Sequence, residues 1–418
     1  MEKIAVIGAG VSGLSIAQLL KDKYSVKLFE KASRPGGLIK CEIVDGNLYH
    51  TVGGHVFNSK YPAVLDWFWQ FFDRENEFSK TPRNASIALD NSRMVGYPIE
   101  NHAYMLEEKT TKAFIQDLLT LSKQTGSAPD NFEEFLRTRF GNTLYDLYFQ
   151  PYNEKVWRRN LKQVPLSWLE GKLPMPTIEE MIYNNFNHAK EENMVHSSFY
   201  YPKQNGSQFI ANRLAENLDI AYDQDITSIV KKDIKWIVNG ETFDKVIFCG
   251  NIKDFPNIFK NSLNTASFVK PIEALESHGT TSVLCEIDTN PYSWIYLPNR
   301  AYSSHRIICT GNFAMSNNNG TKLTGTIEFT DYISRDEITT NLAKMPFTPK
   351  HIAHQYTEYT YPIQEKTTKD LIHELKQAVA KEQVFLLGRF AEWEYYNMDA
   401  AMKAAMDLAT RIEKNKLR

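Results

Sequence analysis

The stretch IAVIGAGVSGL at residues 4–14 constrains the fold of this chain more than any other. Four apolar residues in a row suit a strand buried on both faces, and Gly8, Gly10 and Gly13 follow at the G-x-G-x-x-G spacing. Glycine costs about 0.5–1 kcal/mol relative to alanine inside a regular element, so three in six positions need a structural reason. Gly8 permits a tight turn out of the strand. Gly10 lets backbone approach a pyrophosphate, and Gly13 lets the next helix pack closely on the strand. SGLSIAQLLKD (12–22) reads as that helix, with Leu14, Ile16, Leu19 and Leu20 apolar, and SVKLF (25–29) reads as a second strand. The resulting β-α-β unit predicts a parallel sheet with a right-handed crossover. Its helix N-terminus offers free N–H groups and partial positive charge to phosphate. Glu30 ends the second strand, where an acid binds a ribose hydroxyl; the plainer alternative is a solvated strand end. Taken together these features predict a dinucleotide site. No second G-x-G-x-x-G occurs, so a separate NAD domain is not expected.

The rest of the chain bounds the surroundings of that unit. At 418 residues and 42% hydrophobic content it can bury a large core in two or three domains. A net charge of −2, with both signs interspersed, does not recommend nucleic acid or an anionic membrane as partner. Cys41, Cys249, Cys285 and Cys309 form no CxxC pair and no metal-like spacing with histidine. They read as free thiols of a reducing compartment, with Cys249 and Cys309 buried in apolar runs. No leader and no run of about 20 apolar residues is apparent, so the expectation is a cytoplasmic protein with no membrane span.

Strand-like pieces of the same parallel sheet recur at KVIFC (245–249) and VFLLG (384–388). Residues 62 to about 190 read as mostly helical, with one long helix over 131–152. From about 220 short strands return: a hairpin around VNGET, then TSVLCEID, SWIYLP and RIICTGNF. Helices are expected at 367–380 and 398–415. The fold class is therefore α/β: a Rossmann-like dinucleotide domain (1–61 with 195–255 and 380–418), interrupted by a helical insertion (62–194) and an antiparallel-sheet insertion (256–379) that would carry substrate.

Further stretches resemble a known family. KASRPGGLIK after Glu30 and LLGRFAEW near the C-terminus resemble FAD flavoproteins such as amine oxidases, protoporphyrinogen oxidases, phytoene desaturases and UDP-galactopyranose mutases. LYHTVGGHVFNSKY (48–61), GYPIENH (96–102), YFQPYNEKVW (148–157) and GRFAEWEYYNMDAAM (388–402) are similar to segments of the mutases in particular. The resemblance implies FAD against Gly36, Gly37, Gly54, His55, Arg389 and Met398. It also implies a nucleotide-sugar substrate against Tyr97, Tyr152, Asn153, Trp157, Tyr361, Tyr395 and Asn397, the last standing where bacterial mutases have aspartate. By residue chemistry alone His55 is either a flavin partner or a turn histidine, and the aromatics 152 and 157 either face a ligand or fill a core. Two family arginines straddle the diphosphate. Arg306 in WIYLPNRAYSSHRIICTGNFA matches one, but the other position, in WLEGKLP, is Lys172. Lysine is a point charge without the bidentate fork of arginine, which puts the substrate in doubt more than the reaction; Lys172 could also be a surface lysine.

What the resemblance implies is an isomerase, not a net redox enzyme. Reduced flavin N5 attacks the anomeric carbon, the diphosphate leaves, and the sugar reopens and recloses between pyranose and furanose before the diphosphate returns. Arg306, Lys172 and His55 would be the catalytic group, and an external reductant such as NAD(P)H would keep the flavin reduced. The product would serve cell-surface polysaccharide assembly. The subunit number is left open, a dimer among the options. The alternatives are an FAD oxidase or desaturase, which needs neither Arg306 nor YNEKVW, and a non-catalytic flavin-binding scaffold.

Overall fold

The continuous apolar run at the N-terminus forms β1 (Lys3–Ile7), the middle strand of a five-stranded, all-parallel sheet. The computed structural model describes residues 1–123, 128–164, 166, 176–188, 197–260 and 262–414. In sheet order the strands are Val384–Leu386, Lys245–Phe248, β1, β2 (Ser25–Phe29) and Asp219–Ala221. Strand alternation explains why β1 has no polar position after Lys3. Ile4 and Val6 pack with α1 (Val11–Leu20) and the C-terminal helix Met398–Glu413, whereas Ala5 and Ile7 pack on the opposite face with Trp236, Phe248 and Val379. Both faces are covered, so a polar side chain at either would be buried without a partner.

A second, seven-stranded sheet runs in the order Lys350–Pro362, Ser277–Ile287, Leu323–Thr330, Arg306–Ile308, Trp294–Tyr296, Ala85–Ala88 and Met94–Gly96. All its pairings are antiparallel except Trp294–Tyr296 with Ala85–Ala88. The helical reading of 62–194 is thereby corrected over 78–96. Residues Phe78–Pro82 pair with Ser198–Pro202, and the next two strands join the large sheet. These strands are only three to five residues long, too short to give a legible period of two, and the partners of the first two include strands about 110–210 residues away.

The long helix expected over 131–152 is broken. It runs Phe132–Leu144 with Gly141 at φ +81°, then a π-helical turn Tyr145–Phe149, then Gln150–Trp157. A Cβ on Gly141 would meet the Asp117 Cβ at 2.5 Å, so the kink depends on glycine. The other expected elements stand close to their predicted places: α1, the strands around VNGET, and helices Thr368–Ala380 and Met398–Glu413. All four cysteines are free; Cys249 is half-buried, where full burial was expected. Among the described residues no helix is long and apolar enough to cross a membrane.

Candidate active site

The carboxyl edge of the parallel sheet opens into a cavity of about 430 Å³, the position where open α/β sheets hold ligands. The glycine turn forms one end of it. Gly8 turns the chain at φ +104°, and its N–H donates to the Phe29 carbonyl at 2.8 Å. A Cβ on Gly13 would lie 1.9 Å from the Gly8 carbonyl oxygen, so strand and helix meet there only because position 13 has no side chain. Gly10 is the N-cap of α1, and among the described residues no side chain caps it; Gly10, Val11, Ser12 and Gly13 line the cavity, so the start of the helix stands at its wall. The loop Gly36–Gly37 closes over this turn. The Gly36 N–H donates to the Ala9 carbonyl at 2.9 Å, and a Cβ on Gly37 would come within 3.2 Å of the Gly10 Cα.

Glu30 lies beneath the turn rather than on the cavity wall, and it is not a solvated strand end. It is 6% exposed, and its two carboxylate oxygens accept the N–H groups of Ala9 at 2.7 Å and Ala32 at 3.1 Å. Gly8 likewise supports the wall from behind.

The middle of the cavity is bounded by Gly53, Gly54 and His55. Gly53 adopts φ +63°, and a Cβ on Gly54 would strike the Ile308 side chain at 2.5 Å. That close approach seats His55 against the cavity. Burial, with His50 and Arg389 nearby, lowers the His55 pKa to about 3, so the imidazole is neutral at physiological pH. Among the described residues its buried Nε2 has no hydrogen-bond partner.

The far end is cationic and aromatic. Arg306 and Glu328 face each other across two antiparallel strands and form a charged pair. Arg306 Nη2 also donates to the Tyr361 hydroxyl at 2.8 Å. Glu328 is 1% exposed. Burial alone would raise its pKa, but the Arg306 guanidinium and His305 hold it at about 2. The Tyr361 ring stacks on Tyr395 at 5.5 Å, and the Arg389 guanidinium lies 4.1 Å from the Tyr395 ring centroid. Arg389 also donates to the backbone carbonyls of Thr360 and Tyr396. Asn397 stands at the N-cap position of the helix Met398–Glu413 without a side-chain capping bond, and with Met398 it brings a second helix N-terminus to the cavity.

Twelve of the sequence-predicted residues thus meet on one surface: Gly10, Gly13, Gly36, Gly37, Gly54, His55, Arg306, Tyr361, Arg389, Tyr395, Asn397 and Met398. Four others stand behind the wall. Tyr97 packs on Tyr296 with the rings tilted at 36° and their centroids 4.6 Å apart, and Tyr152 meets the Tyr296 ring edge-on at 5.5 Å. The Asn153 amide turns back to the Phe149 carbonyl at 2.7 Å, and Trp157 is 4% exposed in the helical core. Lys172 lies outside the described residues. The sequence reading missed Arg83 and Tyr296. Arg83 lines the cavity beside the Trp294 ring, and its Nη2 donates to the Tyr296 hydroxyl at 2.7 Å. Arg83 directly follows the short strand Phe78–Pro82, which the helical reading passed over; recognising that strand was the signal available.

Against known proteins, residues 6–73 match the NAD(P)-binding Rossmann-like domain family. The whole chain is similar to two enzymes. It is 22% identical to the dTDP-fucopyranose mutase of Escherichia coli, covering 99% of both chains. It is 21% identical to the UDP-galactopyranose mutase of Mycoplasma genitalium, covering 98% of this chain and 94% of that one. A crystal structure of reduced UDP-galactopyranose mutase superposes with a TM-score of 0.85 at 20% identity, over 99% of this chain and 96% of the other. The chain is therefore similar, from end to end, to sugar-nucleotide mutases, and it shares the fold of one of them.

Proposed function

We propose that this protein is a sugar-nucleotide mutase that interconverts the pyranose and furanose forms of a nucleotide-activated hexose, of the UDP-galactose or dTDP-fucose kind, with reduced FAD as its cofactor. The observation that carries the reading is the placement of the half-buried Arg306 guanidinium, paired with Glu328, in the same cavity as the glycine turn. The residues fit a flavin dinucleotide: position 13 tolerates no Cβ, Val11, Ser12 and Gly13 at the start of α1 line the cavity, and so does His55, whose buried Nε2 has no partner among the described residues. When bound, the reduced flavin supplies the nucleophile for the anomeric carbon, which explains why the chain needs no nucleophile of its own.

The chain supplies binding, orientation and charge. Gly10, Gly36 and Gly37 admit the pyrophosphate to the helix N-terminus. Glu30, behind the wall, holds the turn in shape through the two amides it accepts. Arg306 holds the nucleoside diphosphate as the anomeric bond breaks and re-forms, and its fork suits paired phosphate oxygens. Glu328 fixes one side of that fork, so the remaining N–H groups are presented in one orientation. Tyr361 and Tyr395 offer hydroxyls on rigid rings, and Lys172 is proposed as the second cation at the diphosphate. Neutral His55 offers a hydrogen bond without adding charge. The free thiols suit a reducing cytoplasm, where NAD(P)H is the proposed reductant. The three sequence divisions are proposed as the flavin, helical and substrate-binding parts.

The test is turnover of UDP-galactofuranose and dTDP-fucofuranose by the dithionite-reduced protein, followed by chromatography. Conversion to the pyranose without consumption of oxidant is expected. Arg306→Ala should keep equimolar flavin and lose at least about a hundredfold in kcat. Because that change strands the buried Glu328 charge, Arg306→Lys is the companion variant; it keeps the charge and loses the fork. Near-normal turnover in both would refute the clamp. Stoichiometric oxygen uptake with an oxidised product would favour the oxidase reading instead.

A further inference from the structure

Lys155 stands in the YNEKVW stretch, and the proposed reaction does not employ it. Its Nζ donates to three backbone carbonyls: Leu297 at 2.6 Å, Asn299 at 2.6 Å and Ser304 at 2.9 Å. The same ammonium lies 4.6 Å from the Tyr302 ring centroid. All four partners belong to the loop joining the strand Trp294–Tyr296 to the strand Arg306–Ile308. An ammonium has three donors, and here each meets one carbonyl oxygen.

That loop carries the cationic end of the cavity. Ser304 is fully buried; its Oγ donates to the Glu328 carbonyl at 3.0 Å, and the His305 N–H donates to the same oxygen at 3.1 Å. The next residue is Arg306, paired with the Glu328 side chain. On the other leg Leu297 follows Tyr296, the residue that takes the Arg83 hydrogen bond. Tyr152 lies three residues before Lys155 on the helix Gln150–Trp157, on the same face, and its ring packs on Tyr296.

We infer that Lys155 is a positioning residue whose ammonium clasps both legs of the 297–305 loop and so fixes Arg306 and Tyr296 relative to each other. Its consequence for catalysis rests on the mutase reading; the clasp itself does not. Methionine has similar length but no donor, so it leaves three carbonyls unbonded. Glutamine restores two donors without the charge.

Hydrogen exchange, UDP calorimetry and turnover on the flavin-loaded wild type, Lys155→Met and Lys155→Gln test this. Amides in 297–308 should exchange about tenfold faster in Lys155→Met, with Lys155→Gln between it and wild type and the parallel sheet unchanged. UDP affinity should fall about tenfold and kcat by up to about a hundredfold, with equimolar flavin retained. If Lys155→Met gives no soluble protein, Lys155→Gln decides by the same readouts. Unchanged exchange over 297–308 overturns the clasp. A loosened loop with wild-type UDP affinity and turnover overturns the positioning role. A wild type that neither binds UDP nor turns over a sugar nucleotide refutes the mutase reading alone, and the exchange data still judge the clasp.

Discussion

Gly10 and Gly13 have different reasons to be glycine, and the difference is testable. At Gly13 a Cβ would penetrate the Gly8 carbonyl, so any side chain forces strand and helix apart. At Gly10 the nearest heavy atom to such a Cβ is 3.8 Å away, so a side chain fits the protein but would intrude on the space proposed for the pyrophosphate. Gly10→Val should therefore yield folded, colourless protein. A soluble variant with normal flavin absorbance would refute the pyrophosphate assignment. The same contrast separates Arg306 from Arg83. Arg306 was legible because its surrounding stretch is distinctive. Arg83 sits in TPRNAS, where nothing marks an arginine that becomes part of a cavity wall only after two distant strands pair.

Among the elements, the broken helix is the clearest departure from the sequence pattern. Its apolar spacing runs on through Phe140, Leu144 and Tyr148, all buried, so periodicity alone predicts one continuous helix. Gly141 interrupts it, and the Thr143 N–H that an unbroken helix would use internally donates instead to the Asp117 carboxylate at 2.7 Å. The kink redirects the following segment, so that Tyr152 and Lys155 reach the 294–308 hairpin. Gly141→Ala puts a side chain at φ +81° and against Asp117, and should destabilise the protein by about 1–3 kcal/mol. Denaturant titration measures this; a neutral or stabilising effect would show that the kink does not need glycine.

The whole molecule should respond to acid through its buried histidines. His50 is completely buried, bonded through Nε2 to the Tyr201 hydroxyl at 2.7 Å, and burial lowers its pKa to about 4. The unfolded chain takes up that proton near pH 6.5, so between about pH 6.5 and 4 it binds more protons than the native state. Stability therefore falls as pH falls through that window, by up to about 1.4 kcal/mol per pH unit for this residue. Urea unfolding of wild type against His50→Gln should show the wild type losing ground across that range; parallel pH profiles would refute it.

The sequence by itself determined the glycine-rich β-α-β turn, because it is built from neighbours: strand, glycines, helix and Glu30 fall within 30 residues. It also placed Arg306, His55 and the Gly388–Arg389 corner, through motifs that are local. Only the tertiary structure decided that 78–96 joins a sheet with residues 294–296. It also decided that Asn153 and Trp157 face inward and that a lysine clasps a loop more than 140 residues away. The physical reason is range. Backbone propensity and turn geometry act over a few residues, whereas strand pairing and burial depend on partners that no local window contains.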